Sequence, residues 1–305
     1  MSKNLKGNLI LLLAAVIWGM GFSAQDLAAR HLSTFSVVAI RSFIGALFLI
    51  PVSAYISKKK SETLIPNTKK GKKDLLLFGA LCGVCLCVAS TFQQFGISNY
   101  PADAAASARA GFITALYVII VPIIYAFSGK KLSRNVVIAV LLAVVGLYFL
   151  CLSSGLGGLY LADGIVFLCT ISFSLHIICV DISSAKVDAV KLSIVQFIVC
   201  GIISSVFAII LEKPSVSSIF AAALPILFLG VGSSGIAFTL QIVGQQYSKN
   251  PTVASIIMSL ESVFAVLGGA LIGDKLTIRE VVGCVIMFGA IIFSQIPTKN
   301  NLKKE

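Results

Sequence analysis

TFQQFG at 91–96 returns in altered form as TLQIVG at 239–244, and GKKLS at 129–133 returns as GDKLT at 273–277. The blocks keep their order, and Pro101 or Pro251 follows soon after the first block of each pair. One unit used twice accounts for this better than coincidence does. The chain then divides near its midpoint, where the Gly-rich joint SSGLGGL spans 153–159.

Composition sets the solvent for that unit. The chain has 305 residues, of which 58% are hydrophobic and 12% charged, and its mean hydropathy is +1.01. Soluble domains run at about 45–50% apolar and about 25% charged. So little polar surface cannot cover a soluble core, which leaves lipid as the matching environment. A helix needs about 20 apolar residues to cross about 30 Å of hydrocarbon. Ten stretches qualify: 7–27, 35–56, 75–94, 102–127, 136–152, 164–183, 189–211, 220–241, 252–272 and 281–296. Five spans per unit is an odd number, so the second copy inserts upside down. The expected fold is an all-α polytopic membrane protein with ten transmembrane helices in two inverted five-helix repeats. The repeats cover 7–152 and 160–296, with a cytoplasmic tail at 297–305. Inverted repeats are an architecture of secondary transporters, with substrate near the midplane between the halves.

The net charge is +12, yet the basic residues sit in short segments between apolar runs, such as KKK at 58–60 and KKGKK at 69–73. That placement orients helices and does not build a nucleic-acid groove. With the N-terminus inside, the inner segments carry eighteen Lys and Arg and the outer segments four (Arg30, Lys213, Lys275 and Arg279). This imbalance expects a multi-pass plasma-membrane protein with both termini cytoplasmic. The first apolar run follows Lys3 and Lys6 like a signal peptide, but the many later spans favour an uncleaved first helix. All eight cysteines fall in apolar runs, where thiols pack as small hydrophobes. No disulfide framework or metal site is expected, and no cofactor. Gly79–Gly83 and Gly269–Gly273 have the spacing of close helix contacts, within one bundle or between two copies. Monomer and homodimer both stay open.

The segments AAVIWGMGFSAQDLA at 14–28, VVAIRSFIGALFL at 37–49, AGFITALYVIIVP at 110–122, DGIVFLCTISFSLHIICVD at 163–181 and ASIIMSLESVFAVLGGALIGDKLT at 254–277 span nearly the whole chain in order. In these segments the chain resembles the drug/metabolite transporter superfamily, in its ten-helix EamA branch. The resemblance implies two inverted repeats and transport of small metabolites, usually outward. It is not specific for any substrate. One departure is Asp274, where the family often has glutamate.

Glu261 lies in a run with no other charge from Thr252 to Ile272. A charge at the centre of a membrane helix costs about 2.5–3.5 kcal/mol on insertion scales, so such residues face a cavity or a partner. Two roles are open, proton coupling and a structural or gating hydrogen bond. The resemblance, which places S-L-E here across members with different cargo, favours the second. For Arg41 the resemblance implies a structural role. Arg109 follows small residues and points inward, to grip a substrate carboxylate or to form a salt bridge. His176 shares one helix face with Cys169, Ser172, Cys179 and Ser183, and a polar stripe in lipid must face protein or water. It binds substrate, relays protons or simply hydrogen-bonds in the bundle. Trp18, Phe22, Gln25, Gln93, Tyr117 and Gln241 offer aromatic walls with a few polar groups, as ligand sites do.

The expected function is a secondary transporter exporting a small metabolite such as an amino acid by alternating access, with proton coupling an open question. No nucleotide-binding G-x-x-x-x-G-K-[ST] motif appears, so a gradient supplies the energy. A lipid-linked sugar flippase is the alternative. An intramembrane enzyme fits less well, because His176 with Cys179 is its one local nucleophile candidate.

Overall fold

The computed structural model describes residues 3–59, 69–101, 106–129, 131–151, 160–248, 250–271, 278–294 and 296. Among them there are helices and no strands. The first half holds α1 (Lys3–Ala29), α2 (Thr34–Lys59), α3 (Lys69–Ser98), α4 (Ala106–Ala115), α5 (Tyr117–Phe127) and α6 (Arg134–Cys151). The second holds α7 (Leu161–Ser184), α8 (Ala189–Phe207), α9 (Val216–Ala221), α10 (Ala223–Leu227), α11 (Thr239–Ser248), α12 (Pro251–Met258), α13 (Glu261–Leu271) and α14 (Ile278–Ser294). Ala208–Glu212 and Phe228–Phe238 are π-helical, and the latter joins α10 to α11 in one rod.

Seven of the described helical stretches are long and apolar enough to cross a membrane, and three shorter apolar helices lie at the remaining expected spans. Several rods outrun the hydrophobic runs that predict them. For example, α3 begins at Lys69, six residues before the apolar stretch at 75–94. The backbone gains nothing by uncoiling at the headgroups, and lysine stems reach water from a helix end.

The packing is unchanged when the halves are exchanged. α3 packs on α7 as α11 packs on α1, and α3 packs on α8 as Phe228–Phe238 packs on α2. α4 and α5 lean on α7 as α12 and α13 lean on α1. The pairs α2 with α8 and α6 with α14 map onto themselves. The repeated blocks explain part of this. A side chain at Gly96, which ends TFQQFG, would strike Val166 of α7, and one at Gly244, which ends TLQIVG, would lie 2.6 Å from Leu11 Cγ of α1. Each glycine thus lets the third span of its half press on the first span of the other. The GDKLT block lies outside the described residues.

Small residues serve because lipid gives helices no hydrophobic reason to associate. Gly79 and Gly83 use their spacing inside the bundle: side chains there would run into Val195, and into Gln196 O at 2.8 Å. Gly273 lies outside the described residues. Polarity is inside out. Leu47, Leu141, Val285 and Ile292 are exposed, whereas Gln93, Gln196, Gln241, His176 and Glu261 are buried. An aqueous fold would reverse this arrangement.

Candidate functional site

A cavity opens between the halves, with about 510 Å³ of atom-free space counting its mouth. Trp18, Phe22 and Gln25 of α1, Gln93 of α3, Tyr117 of α5, Gln241 of α11 and Glu261 of α13 all line it. The sequence expectation named all seven. Gln93 and Gln241 hold the same place in TFQQFG and TLQIVG, so the repeat delivers one amide from each half. Gln93 Nε2 donates to Thr114 Oγ1 at 3.2 Å. The Oε1 atoms of Gln25 and Gln241 have no hydrogen-bond partner among the described residues.

The wall is aromatic on one side. Trp18 meets Phe238 edge to face at 4.8 Å between centroids, and Phe173 stacks on Phe238 at 6.4 Å. Trp18 Nε1 donates to the carbonyl oxygen of Ser233 at 3.3 Å. A lone tryptophan at mid-span, bonded this way, serves the cavity and not a headgroup belt.

Glu261 answers to Tyr117. The Tyr117 hydroxyl donates to Glu261 Oε1 at 3.0 Å, and both residues are buried. Each is the first residue after a break in the fourth span of its half: α4 stops before Leu116, and α12 stops before Ser259. At both breaks the ladder tightens to three residues, Leu116 N to Ile113 O and Leu260 N to Ile257 O, each at 3.2 Å. AGFITALY at 110–117 aligns with ASIIMSLE at 254–261, so Tyr117 and Glu261 are the same position of the repeat, meeting across the bundle. This third pair of blocks was open to sequence reading and was missed. The second break has a visible local cause. Ser255, Ser259 and Ser262 each turn their hydroxyl onto the carbonyl three residues back, at 2.8 Å, and such back-bonding bends helices.

The other candidates lie elsewhere or play other parts. Arg109 is not among the residues lining the cavity. Its Nη2 bonds Asp163 Oδ2 at 2.7 Å and its Nε bonds Asp163 Oδ1 at 3.2 Å, and its guanidinium lies 4.7 Å from the Tyr160 ring centroid. Tyr100 donates to the same carboxylate at 2.7 Å. Burial first, then the bond to Asp163, hold the Tyr100 phenol well above its usual pKa. This clasp joins the end of α3 and the start of α4 to the start of α7. His176 is fully buried behind Phe173 and Phe238, with Nε2 3.1 Å from Gln196 Oε1. The stripe divides among its neighbours: Cys169 Sγ lies 3.8 Å from Thr114 Oγ1 of α4, Ser172 donates to Leu168 O of its own helix, and on α3 Cys179 Sγ lies 3.9 Å from Cys85 Sγ and Ser183 Oγ 3.6 Å from Cys82 Sγ. The CGVCLC run thus packs against helices. Among the described residues no group of three His, Cys, Asp or Glu could hold a metal ion.

Arg41 lines the cavity as well as tying helices. Its Nη2 donates to Ser233 Oγ at 2.8 Å and its Nε to Ser234 Oγ at 3.1 Å, which fixes α2 to the π-helical stretch. Ser233, Phe238, Phe173, Thr114 and Met258 also line the cavity and escaped sequence reading. Such residues carry no local signal of their own. Thr114 and Met258, however, occupy matched positions in the third pair of blocks.

The model of the EamA-like transporter family matches residues 5–152 and 160–295. An uncharacterized transporter of Archaeoglobus fulgidus is 29% identical over 293 residues, covering 95% of this chain and 86% of that protein. One solved structure, 18% identical, superposes with a TM-score of 0.73 over 95% of this chain and 96% of its own, which speaks for the fold alone. With the family model matching both halves, the chain belongs to the EamA-like transporter family.

Proposed function

We propose that the chain is a secondary transporter that exports a small metabolite, such as an amino acid, across the plasma membrane by alternating access, with both termini cytoplasmic. The two repeats, 7–152 and 160–296, act as the rocking units, and the cavity is the substrate site. One observation carries this reading. The broken fourth spans of the two halves meet at the Tyr117–Glu261 bond beside the cavity. Broken helices flank the substrate in many transporters, because freed backbone groups are tolerated only beside a cavity. Family membership supports the same reading.

The test is uptake into inside-out vesicles across a panel of metabolites, with and without a proton gradient. Accumulation of at least one panel member, lost on blocking the cavity by Gly21→Trp, is expected; Gly21 lines the cavity, and an added Cβ there comes no nearer than 3.7 Å to a neighbour. Substrate recovered chemically altered would point to an enzyme instead. Glu261→Gln in the same assay decides whether this residue carries a proton: gradient-driven uptake that keeps its full pH dependence would remove Glu261 as the carrier.

A further inference from the structure

A second hollow lies under the turn from α1 to α2, with Thr34, Phe35, Ser98 and Glu212 among the residues around it. It stacks on the central cavity along the same helices. Gln25 lines the cavity, and Ala29, one turn further along α1, lines the hollow. On α3, Gln93 lines the cavity and Ser98 lines the hollow. Gln94 bridges the two. Its Nε2 donates to the Gln25 carbonyl oxygen of α1 at 3.3 Å and to Ser98 Oγ at 3.4 Å. Gln25 and Gln94 are both buried, and the Oε1 atom of each lacks a partner among the described residues. A buried acceptor left dry is costly, so these two call for water.

The second half shows the same corner built dry. Gly96 against Val166 and Gly244 against Leu11 set α7 and α1 in matching registers. Fourteen residues on from Leu11 and Val166 stand Gln25 and Val180, each followed by an aspartate. TFQQFG and TLQIVG likewise set Gln94 against Ile242. Val180 and Ile242 are fully buried and share one apolar cluster with Val187 and Leu192. Gln246, the counterpart of Ser98, donates to the carbonyl oxygens of Ser184 at 2.7 Å and Val187 at 3.4 Å, which ties α11 to the α7–α8 turn. Ser98 instead bonds back to Gln94 O of its own helix, and the hollow opens beside it.

We propose that the corner where α1, α2 and α3 meet is a wet passage from the cavity to one face of the membrane, with Gln94 as its gate, and that the matching corner of α7, α8 and α11 is a dry seal. Turning the Gln94 amide off the Gln25 carbonyl breaks one neutral hydrogen bond, which water replaces. Parting Val180 from Ile242 exposes apolar surface with no such compensation. That the substrate travels this passage rests on the cavity being the transport site, as argued above. The wetness of the corner does not, and it can be measured without transport.

The experiment uses the full chain in lipid nanodiscs, where both membrane faces meet the solution. Gln25→Cys and Gln94→Cys probe one corner, and Val180→Cys and Ile242→Cys probe the other. All four side chains are buried, so burial alone expects no difference among them. The probe is a charged methanethiosulfonate, which needs a thiolate and therefore reports water at the thiol. Reaction is followed by intact mass and located by peptide mass, with the wild-type chain as background. Gln25→Cys and Gln94→Cys should react at least about tenfold faster than their counterparts, because a thiol in oil stays protonated. A variant that unfolds is recognised by reaction of its native cysteines as well, and the other pair then decides. Equal rates in the two corners, or faster reaction at Val180→Cys and Ile242→Cys, overturn the passage. Gln94→Leu, which copies the apolar character of Ile242, should keep the melting temperature. It should slow vesicle uptake, counted per folded protein, at least about tenfold, since a polar solute then meets oil. Uptake at the wild-type rate overturns the gate. Fast reaction at Gln94→Cys in a chain that transports no panel member keeps the wet passage and defeats the transporter reading. Uptake of a panel member with slow reaction in both corners does the reverse.

Discussion

At the scale of single residues, the Tyr117–Glu261 bond sets how the halves hold together. The Tyr117 hydroxyl donates to a carboxyl shut inside apolar helices. Tyr117→Phe removes that donor and leaves the acid buried, which costs about 1–3 kcal/mol. Glu261→Gln keeps an oxygen that can accept from Tyr117, so it should cost less. Glu261→Leu removes the acceptor outright, and the double variant Tyr117→Phe with Glu261→Leu should cost less than those two singles added together, because the bond can be lost only once. Melting temperatures in detergent check this, and strict additivity would show that the bond carries no stability. Glu261 was legible from sequence because a lone acid in oil demands an explanation. Its partner was not, because Tyr117 lies 144 residues away. The arginines teach the same lesson. Both stand out as charges within spans, but only three-dimensional packing gives Asp163 to Arg109 and leaves Arg41 facing the cavity.

At the scale of helices, close approach replaces hydrophobic burial as the source of fit. Gly19 of α1 sits against the start of α13, where an added methyl group would lie 2.8 Å from Glu261 O and beside Phe264 Cβ. Both neighbours are backbone or nearly so, and neither can swing aside. Gly19→Ala should therefore cost about 1–3 kcal/mol and slow transport by shifting the Glu261 break. Gly164 of α7 has nothing within 4 Å of an added methyl group. Gly164→Ala should be neutral or raise stability by up to about 1 kcal/mol, through helix propensity alone. Equal melting shifts for the two variants would mean that helix contacts do not decide the matter. The ten apolar stretches were legible because lipid imposes length and hydropathy on each. The breaks at Leu116 and at Ser259–Leu260 were not, because neither Gly nor Pro marks them and their composition matches their surroundings. The π-helical run from Phe228 to Phe238 was equally silent. The first half's clasp offers a further test at this scale. Asp163→Asn takes the charge from the carboxylate that Arg109 and Tyr100 both meet, with an expected loss of about 1–3 kcal/mol in detergent melting.

At the scale of the whole molecule, the exchange of halves fixes which loops share a side. Glu212 closes a π-helical turn at the end of α8 and accepts from the backbone N–H groups of Phe35 and Ser36 at 2.8 Å, capping the start of α2. Lys213, left-handed at φ 49°, follows directly. It therefore lies level with the start of α2. The 26 residues of α2 rise about 39 Å to Lys59, and α3 sets out again from Lys69. Lys213 and the lysines that open α3 are thus separated by the thickness of a membrane, whichever way the molecule points. In the orientation proposed above, the excess of lysine on the α3 side puts that side in the cytoplasm. A membrane-impermeant amine reagent should modify Lys213 in right-side-out vesicles, and Lys69, Lys70, Lys72 and Lys73 only in inside-out ones. Lys213 and Lys70 modified from one side would contradict the fold itself. The reverse pattern, with Lys70 reached from outside, would keep the fold and invert its direction. Export would then become import through the same cavity, because a two-fold exchange of halves has no built-in sense and takes one from its loops.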